Sequence, residues 1–293
     1  MPLAFASPPI SLNTAHALAL SFVGSYVGSL YISKNARLSF KKVVAPDLRE
    51  GEQRAKEDDE RWRNDPDVIR ARVTAAGLST VSSCVVVLGV VWAFVGWDMK
   101  ELPIALETTL TRLGFDTDLS LSQIVLPSLV TPVLYAGPLY AYFLAGRLPF
   151  QRSWSWRRCI APIVTTWQGW RDFIVGPTTE EVVFRACTLA VYQLAGASVY
   201  MKIFLPPLLF GLAHVHHAWD KFNRFGRTKA AAQRAILETI FQLIYHSTTY
   251  ISHLLQYNGF ATARPSSSNI PGASYRDQAG VFTWTPWLLV HNA

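Results

Sequence analysis

The chain has 293 residues, half of them hydrophobic, with 10 Trp, 11 Tyr and 16 Phe, and its mean hydropathy is positive despite one heavily charged stretch, which excludes an ordinary soluble domain. A formal charge of +7 does not mark a nucleic-acid binder here, because the basic residues are grouped by loop and form no aromatic-interleaved stripe. Cys84, Cys159 and Cys187 stand far apart without a C-x-x-C spacing, which argues against a disulfide framework or a zinc cluster.

In chain order, the apolar run 12–32 approaches the roughly 20 residues that a bilayer core requires. No basic region precedes it and its positive charges follow it, so it reads as a start-transfer anchor and not as a cleaved signal peptide. Segment 34–76 is the one clearly polar region, predicted to be a charged cytoplasmic loop with a solvated helix carrying i,i+4 charge pairs; a part in substrate docking is the lesser reading. Apolar runs recur at 77–97, 123–146, 178–196 and 198–214, with a weaker one at 235–255. Residues 160–176 are expected to form a shallow or re-entrant amphipathic piece, and the Ser/Pro/Gly-rich stretch 262–274 reads as disordered. No internal repeat is present. The pattern predicts an all-α, polytopic helical membrane protein, with residues 1–293 forming a single integral membrane domain.

Charge placement gives the topology. Segment 34–72 holds 11 Lys and Arg, 147–158 holds four and 221–234 holds five, whereas 98–122 holds two against five acids. The positive-inside rule puts the first three in the cytoplasm and the last on the far side. Stretch 147–234 then begins and ends in the cytoplasm, and the pair 178–196 and 198–214 supplies the required even number of crossings.

Inside these runs lie Glu180 and Glu181, followed 34 positions after Glu180 by His214. An ionisable group at bilayer depth costs roughly 2.5–3.5 kcal/mol on insertion scales and by default marks a functional site. Glu181 has structural explanations: Thr178 with Glu181 fits a capping box after Pro177, and Arg185 stands four residues on to neutralise it. Neither accounts for Glu180, about 100° around the helix from Glu181. His214 is one turn from Phe210 and deeper than His216 and His217, which could simply mark the interfacial end of the helix. A desolvated carboxylate facing an imidazole can take a proton from water and return it to a leaving amine. The H-E-x-x-H spacing is absent and no third ligand is evident, so neither metal nor cofactor is expected. Cys187 as a nucleophile has no base partner in the sequence.

The residues Arg171, Pro177, Thr179-Glu180-Glu181, Phe184-Arg185 and Cys187, followed by Phe210-Gly211, Ala213-His214 and His216-His217, resemble the type II CAAX prenyl endopeptidases, or Ras-converting enzymes, of the intramembrane glutamate protease family. Weaker similarity lies in Asp65-Pro66-x-Val68-Ile69-x-x-Arg72, in 134–139 and in Phe241-Gln242-x-x-Tyr245. The resemblance implies a cytoplasm-facing intramembrane cavity in the endoplasmic reticulum membrane. It also implies removal of the last three residues from farnesylated or geranylgeranylated C-a-a-X proteins such as Ras-type GTPases. Glu180 and His214 would activate water, with Glu181, Arg185 and Phe210 in support. A non-catalytic prenyl-protein binder or a proton-coupled transporter is the alternative.

The family's third element, His-x-x-x-Asn, supports the oxyanion. His291 is its candidate here, but the matching Asn position would be 295 in a sequence given to Ala293. Residues 246–293, polar through Gly280, are expected to be an aberrant or truncated C-terminal part, and turnover by the chain as written is expected to be feeble.

Overall fold

The computed structural model describes residues 5, 7–46, 48, 52–115, 125, 129, 132–133 and 135–241. Helix α1, Leu12–Ile32, starts where the Ser11 hydroxyl accepts the Thr14 amide at 3.1 Å. Helix α2, Pro66–Phe94, starts with proline in the first turn, where a missing N–H costs nothing. It therefore begins eleven residues before the apolar run at 77. The expected polar segment 34–76 divides accordingly into an irregular loop and the first turns of α2.

Among its described residues the loop, 34–65, does not form the solvated helix expected of it. It folds around a buried ion pair: the Arg54 guanidinium holds both carboxylate oxygens of Glu60, at 2.5 and 2.9 Å, with both side chains almost wholly buried. Glu60 also accepts from the Lys41 and Glu57 amides and from the Trp62 indole. A short charged segment without an apolar core of its own organises by satisfying one carboxylate completely.

Helix α3, Leu102–Arg112, lies in the stretch read as a far-side loop and packs on α2. Helix α4, Ala136–Leu144, is the main described part of the run 123–146; most of the remainder lies outside the described residues. Two short turns, α5 (Trp156–Cys159) and α6 (Ala161–Thr165), precede helix α7. Helix α7 continues unbroken through Trp167–Gly169, a π turn Trp170–Val175, Gly176–Glu180, a second π turn Glu181–Cys187 and Thr188–Leu194. Gly196, at φ +62°, closes the turn into helix α8, Val199–Ala213, whose first amides are capped by Ser198. Helix α9, Val215–Arg224, follows directly, and α10 covers the described residues 229–241. Residues 242–255 of the weaker run at 235–255 lie outside the described residues.

The fold is all-α: among the described residues the only extended pairing is one bridge between Ser39 and Arg61. Among the described residues, three helical spans are long and apolar enough to cross a membrane: Leu12–Ile32, Pro66–Phe94 and Val199–Arg224, the last made of α8 and α9 together. The core lies where α1 meets α7 and α8. Ala15, Ala19, Phe22 and Tyr26 pack against Val183, Phe184, Cys187, Ala190 and Val191, with Leu209 and Ala213 alongside. Alanines on α1 let the backbones approach, the usual device of helix packing where lipid supplies no hydrophobic drive. Large apolar side chains such as Val81 and Val85 of α2 and Phe204 and Leu208 of α8 point outward.

The expectation for 160–176 fails at its second half. Residues 167–176 are not a separate re-entrant piece but the first turns of α7. Thr166 is the true cap, its hydroxyl accepting the Gly169 amide at 2.9 Å. Pro177 reads as a helix start in the sequence because it lacks an N–H. Here the preceding π turn, with the Gly176 amide bonded to the Arg171 carbonyl, has already widened the helix where that donor is missing.

Candidate active site

The α7–α8 hairpin sets the level of the two predicted side chains. Glu180 lies fourteen residues before Leu194 and His214 fifteen after Val199, so a rise of about 1.5 Å per residue carries each some 20 Å from the connecting turn. Phe184 and Phe210, one turn nearer the turn than Glu180 and His214, confirm the register by meeting edge to face at 5.2 Å.

His214 occupies the break between α8 and α9, its amide on the Gly211 carbonyl at 3.0 Å. Its Nδ1 lies 2.8 Å from the Phe210 carbonyl, and a carbonyl can only accept, so Nδ1 carries the proton. Nε2 of the neutral ring is then left as a proton acceptor. The Phe210 ring packs on the imidazole with centroids 4.3 Å apart, so Phe210 orients His214 through both ring and backbone.

Glu181 pairs with Arg185 at 2.9 Å, as the i,i+4 spacing predicts. The capping-box explanation of Glu181 falls, because Thr178 lies inside α7 and not at its start. Glu180 sits between the two π turns of α7. Such turns shift the residues that follow them around the helix and recur at functional sites.

Tyr26 of α1 is a residue that sequence reasoning missed. Thr179 spends its proton on the Val175 and Gly176 carbonyls, at 2.8 and 3.0 Å, so the Tyr26 hydroxyl donates to Thr179 at 2.9 Å. The phenol is close enough for the charge of Glu180 to act on it, and its ring meets Phe184 at 5.2 Å. Tyr26, Phe184 and Phe210 form one aromatic wall from α1 across α7 to α8. A tyrosine in an apolar run gives no signal until α1 is known to pack against the glutamate helix.

At the end of the hairpin nearest the loop, Arg171 pairs with Asp172 at 2.7 Å and donates to the Arg63 carbonyl at 2.7 Å and the Asn64 side chain at 3.1 Å. The Arg54 amide meets the Arg224 carbonyl, and the Ala45 amide that of Gly226, both at 3.0 Å. The basic loops 34–65 and 221–227 thus lie on one side of the bundle, close to His214. His216 and His217 belong to this end, their rings 4.0 Å apart, with His216 Nδ1 on the Ala213 carbonyl.

Cys187 is fully buried with its sulfur 3.9 Å from that of Cys84, both thiols being free, which gives a substrate no route to a nucleophile there. Among the described residues no group of three or more His, Cys, Asp or Glu is placed to hold a metal ion. His291 and residues 246–293, together with Gln242 and Tyr245, lie outside the described residues.

A family model described as type II CAAX prenyl endopeptidase Rce1-like matches residues 162–255, which include Glu180, Glu181, Arg185, Phe210 and His214. The chain is similar to CAAX prenyl protease 2 of Caenorhabditis elegans, 32% identical over 204 residues that cover 68% of this chain and 65% of the relative. The probable CAAX prenyl protease 2 of Schizosaccharomyces pombe is 28% identical over 194 residues, 66% of this chain and 62% of the relative. The Homo sapiens CAAX prenyl protease 2 is 29% identical over 235 residues, 77% and 59% respectively. The chain spans less than two thirds of the length of each of these relatives. No solved structure matches.

Proposed function

The chain belongs to the Rce1-like family of type II CAAX prenyl endopeptidases, and from that premise we propose that it cleaves prenylated C-a-a-X proteins within a multi-pass membrane bundle. The bond cut follows the farnesylated or geranylgeranylated cysteine, and the last three residues leave as a tripeptide. The membrane is that of the endoplasmic reticulum, and the cavity opens to the cytoplasm, where the basic loops lie.

The observation that supports this reading is the Phe184–Phe210 contact across the α7–α8 hairpin, each ring four residues from Glu180 or His214 on its own helix. Glu180 takes a proton from water while Nε2 of His214 accepts the other hydrogen bond of that water. The resulting hydroxide adds to the scissile carbonyl, and the proton passes from Glu180 to the leaving amine. Glu181 and Arg185 neutralise each other and hold the π turn beside Glu180. Phe210 fixes the tautomer of His214. His291 is the candidate oxyanion donor, and no metal takes part.

Vesicles carrying the full chain should release the terminal tripeptide from a farnesylated C-a-a-X peptide and leave the unprenylated peptide intact. Equal release from both, or no preferential binding of the prenylated peptide, contradicts the substrate class. Zinc chelation should leave the rate unchanged. Loss on chelation with recovery on adding zinc back would instead assign His216 or His217 to a ligand set.

A further inference from the structure

A basic cluster surrounds the mouth of the hairpin and does no work in the water-activating step. Four guanidinium groups converge there: Arg63 from the loop, Arg72 from α2, Arg171 from α7 and Arg224 from α9. Two of them are matched, Arg171 by Asp172 at 2.7 Å and Arg224 by Asp220 at 2.9 Å. Arg72 is only 7% exposed; its Nε donates to the Ala36 carbonyl at 2.8 Å, while its Nη2 is buried with no hydrogen-bond partner. Arg63 is half-buried, and among the described residues its guanidinium has neither a hydrogen bond nor an ion pair.

This arrangement is costly unless an anion completes it. Burial pushes the Arg63 guanidinium below its ordinary value and the neighbouring charges of Arg171 and Arg224 push the same way, while Asp172 and Asp220, each already paired to another arginine, offset this only in part. The sharper cost falls on Arg72, whose Nη2 is buried with no hydrogen-bond partner, because a desolvated cationic donor left unpaired is among the least favourable groups a protein can hold. Yet the backbone of Arg63 is pinned, its carbonyl held by Arg171. The loop is therefore built to keep an unmatched guanidinium at this place, backed by Arg72, which is also short of a partner.

We propose that Arg63, backed by Arg72, is the subsite that captures the free terminal carboxylate of the a-a-X tripeptide. This deepens the proposed function and rests on it. Three extended residues separate that carboxylate from the scissile bond by at most about 10 Å, so the subsite must stand within that reach of Glu180 and His214. The charge of Arg63 acts on His214, and its backbone is held to the start of α7 by Arg171, so the guanidinium stands near the site on its loop side. A planar guanidinium offers a carboxylate two parallel donors, which fixes the distance from chain terminus to cleaved bond and so the count of residues removed.

The test compares a farnesylated C-a-a-X peptide bearing a free terminal acid with its terminal carboxamide, using the full chain in vesicles and reading both kcat/KM and equilibrium binding. The unmodified chain should favour the acid by about 10- to 100-fold. Arg63→Gln should lower use of the acid by a similar factor and leave the amide unchanged, bringing the ratio close to one. Arg63→Lys, which keeps the charge but loses the fork, should fall between them. Equal handling of acid and amide by the unmodified chain overturns the proposal. So does an Arg63→Gln variant that loses both substrates equally, the signature of a structural role, or one that loses neither. Dependence of Arg63→Gln on anionic lipid, with the acid-to-amide ratio intact, would reassign the cluster to headgroup phosphate. If neither peptide binds at all, the parent reading falls and takes the subsite with it; binding without turnover leaves the acid-to-amide ratio in binding as the deciding number.

Discussion

Glu60 shows how much one side chain can organise. Burial alone would raise its carboxyl, but hydrogen bonds from Arg54, the Lys41 and Glu57 amides and Trp62 outweigh this and hold it down at about 2. A carboxylate depressed in the folded state stabilises above its unfolded value, near 4.5, and that contribution fades as pH falls toward about 2. Loop 34–65 should therefore become sensitive to proteolysis between those values while remaining protected at neutral pH. Glu60→Gln should expose the same loop at pH 7, because a buried Arg54 without its partner costs about 3–5 kcal/mol. Resistance of this variant equal to that of the parent chain would show that the pair does not hold the loop. Tyr26→Phe is a milder change: it removes one donor while Thr179 keeps its carbonyl acceptors, so the loss in unfolding free energy should be about 1 kcal/mol. A much larger loss would mean that the phenol holds more than Thr179.

At the scale of elements, α7 carries the proposed site, and its start rests on one close approach to α6. A Cβ at Gly169 would come within 2.3 Å of the Pro162 carbonyl, a backbone atom that cannot swing away. Gly169→Ala should therefore cost about 1–3 kcal/mol and shift the start of α7 against α6. Gly24→Ala in α1 meets nothing within 4 Å and should be neutral or gain up to about 1 kcal/mol in helix propensity. Equal stability changes at the two positions, read by thermal unfolding, would show that the approach at Gly169 relaxes freely.

Much of this architecture was legible in the sequence, since α1 matches the run 12–32 and α8 ends at the histidine that the run 198–214 predicted. The Glu181–Arg185 pair followed from spacing alone. What was hidden depended on tertiary context. Pro177 imitates a helix start, and only the π turn ahead of it reveals that α7 began ten residues earlier. Tyr26 and Arg63 lie in segments remote from the motif, and their importance appears only when α1 and the loop fold onto α7 and α8.

For the whole molecule, α1 meets α7 and α8 through the aromatic contacts Tyr26–Phe184 and Phe184–Phe210, and Arg171 ties α7 to the charged loop at Arg63. We propose that Glu180 and His214 act on a single water molecule. Two groups that share one step lose their effect together and not additively. The deciding measurement is the rate of tripeptide release from a farnesylated C-a-a-X peptide by Glu180→Gln, His214→Ala and the double variant in vesicles. Each single change should lower kcat by about 100-fold or more, and the double variant should be no slower than the worse of the two. Losses that multiply in the double variant, or full activity in Glu180→Gln, would contradict a shared water and the roles assigned to both side chains.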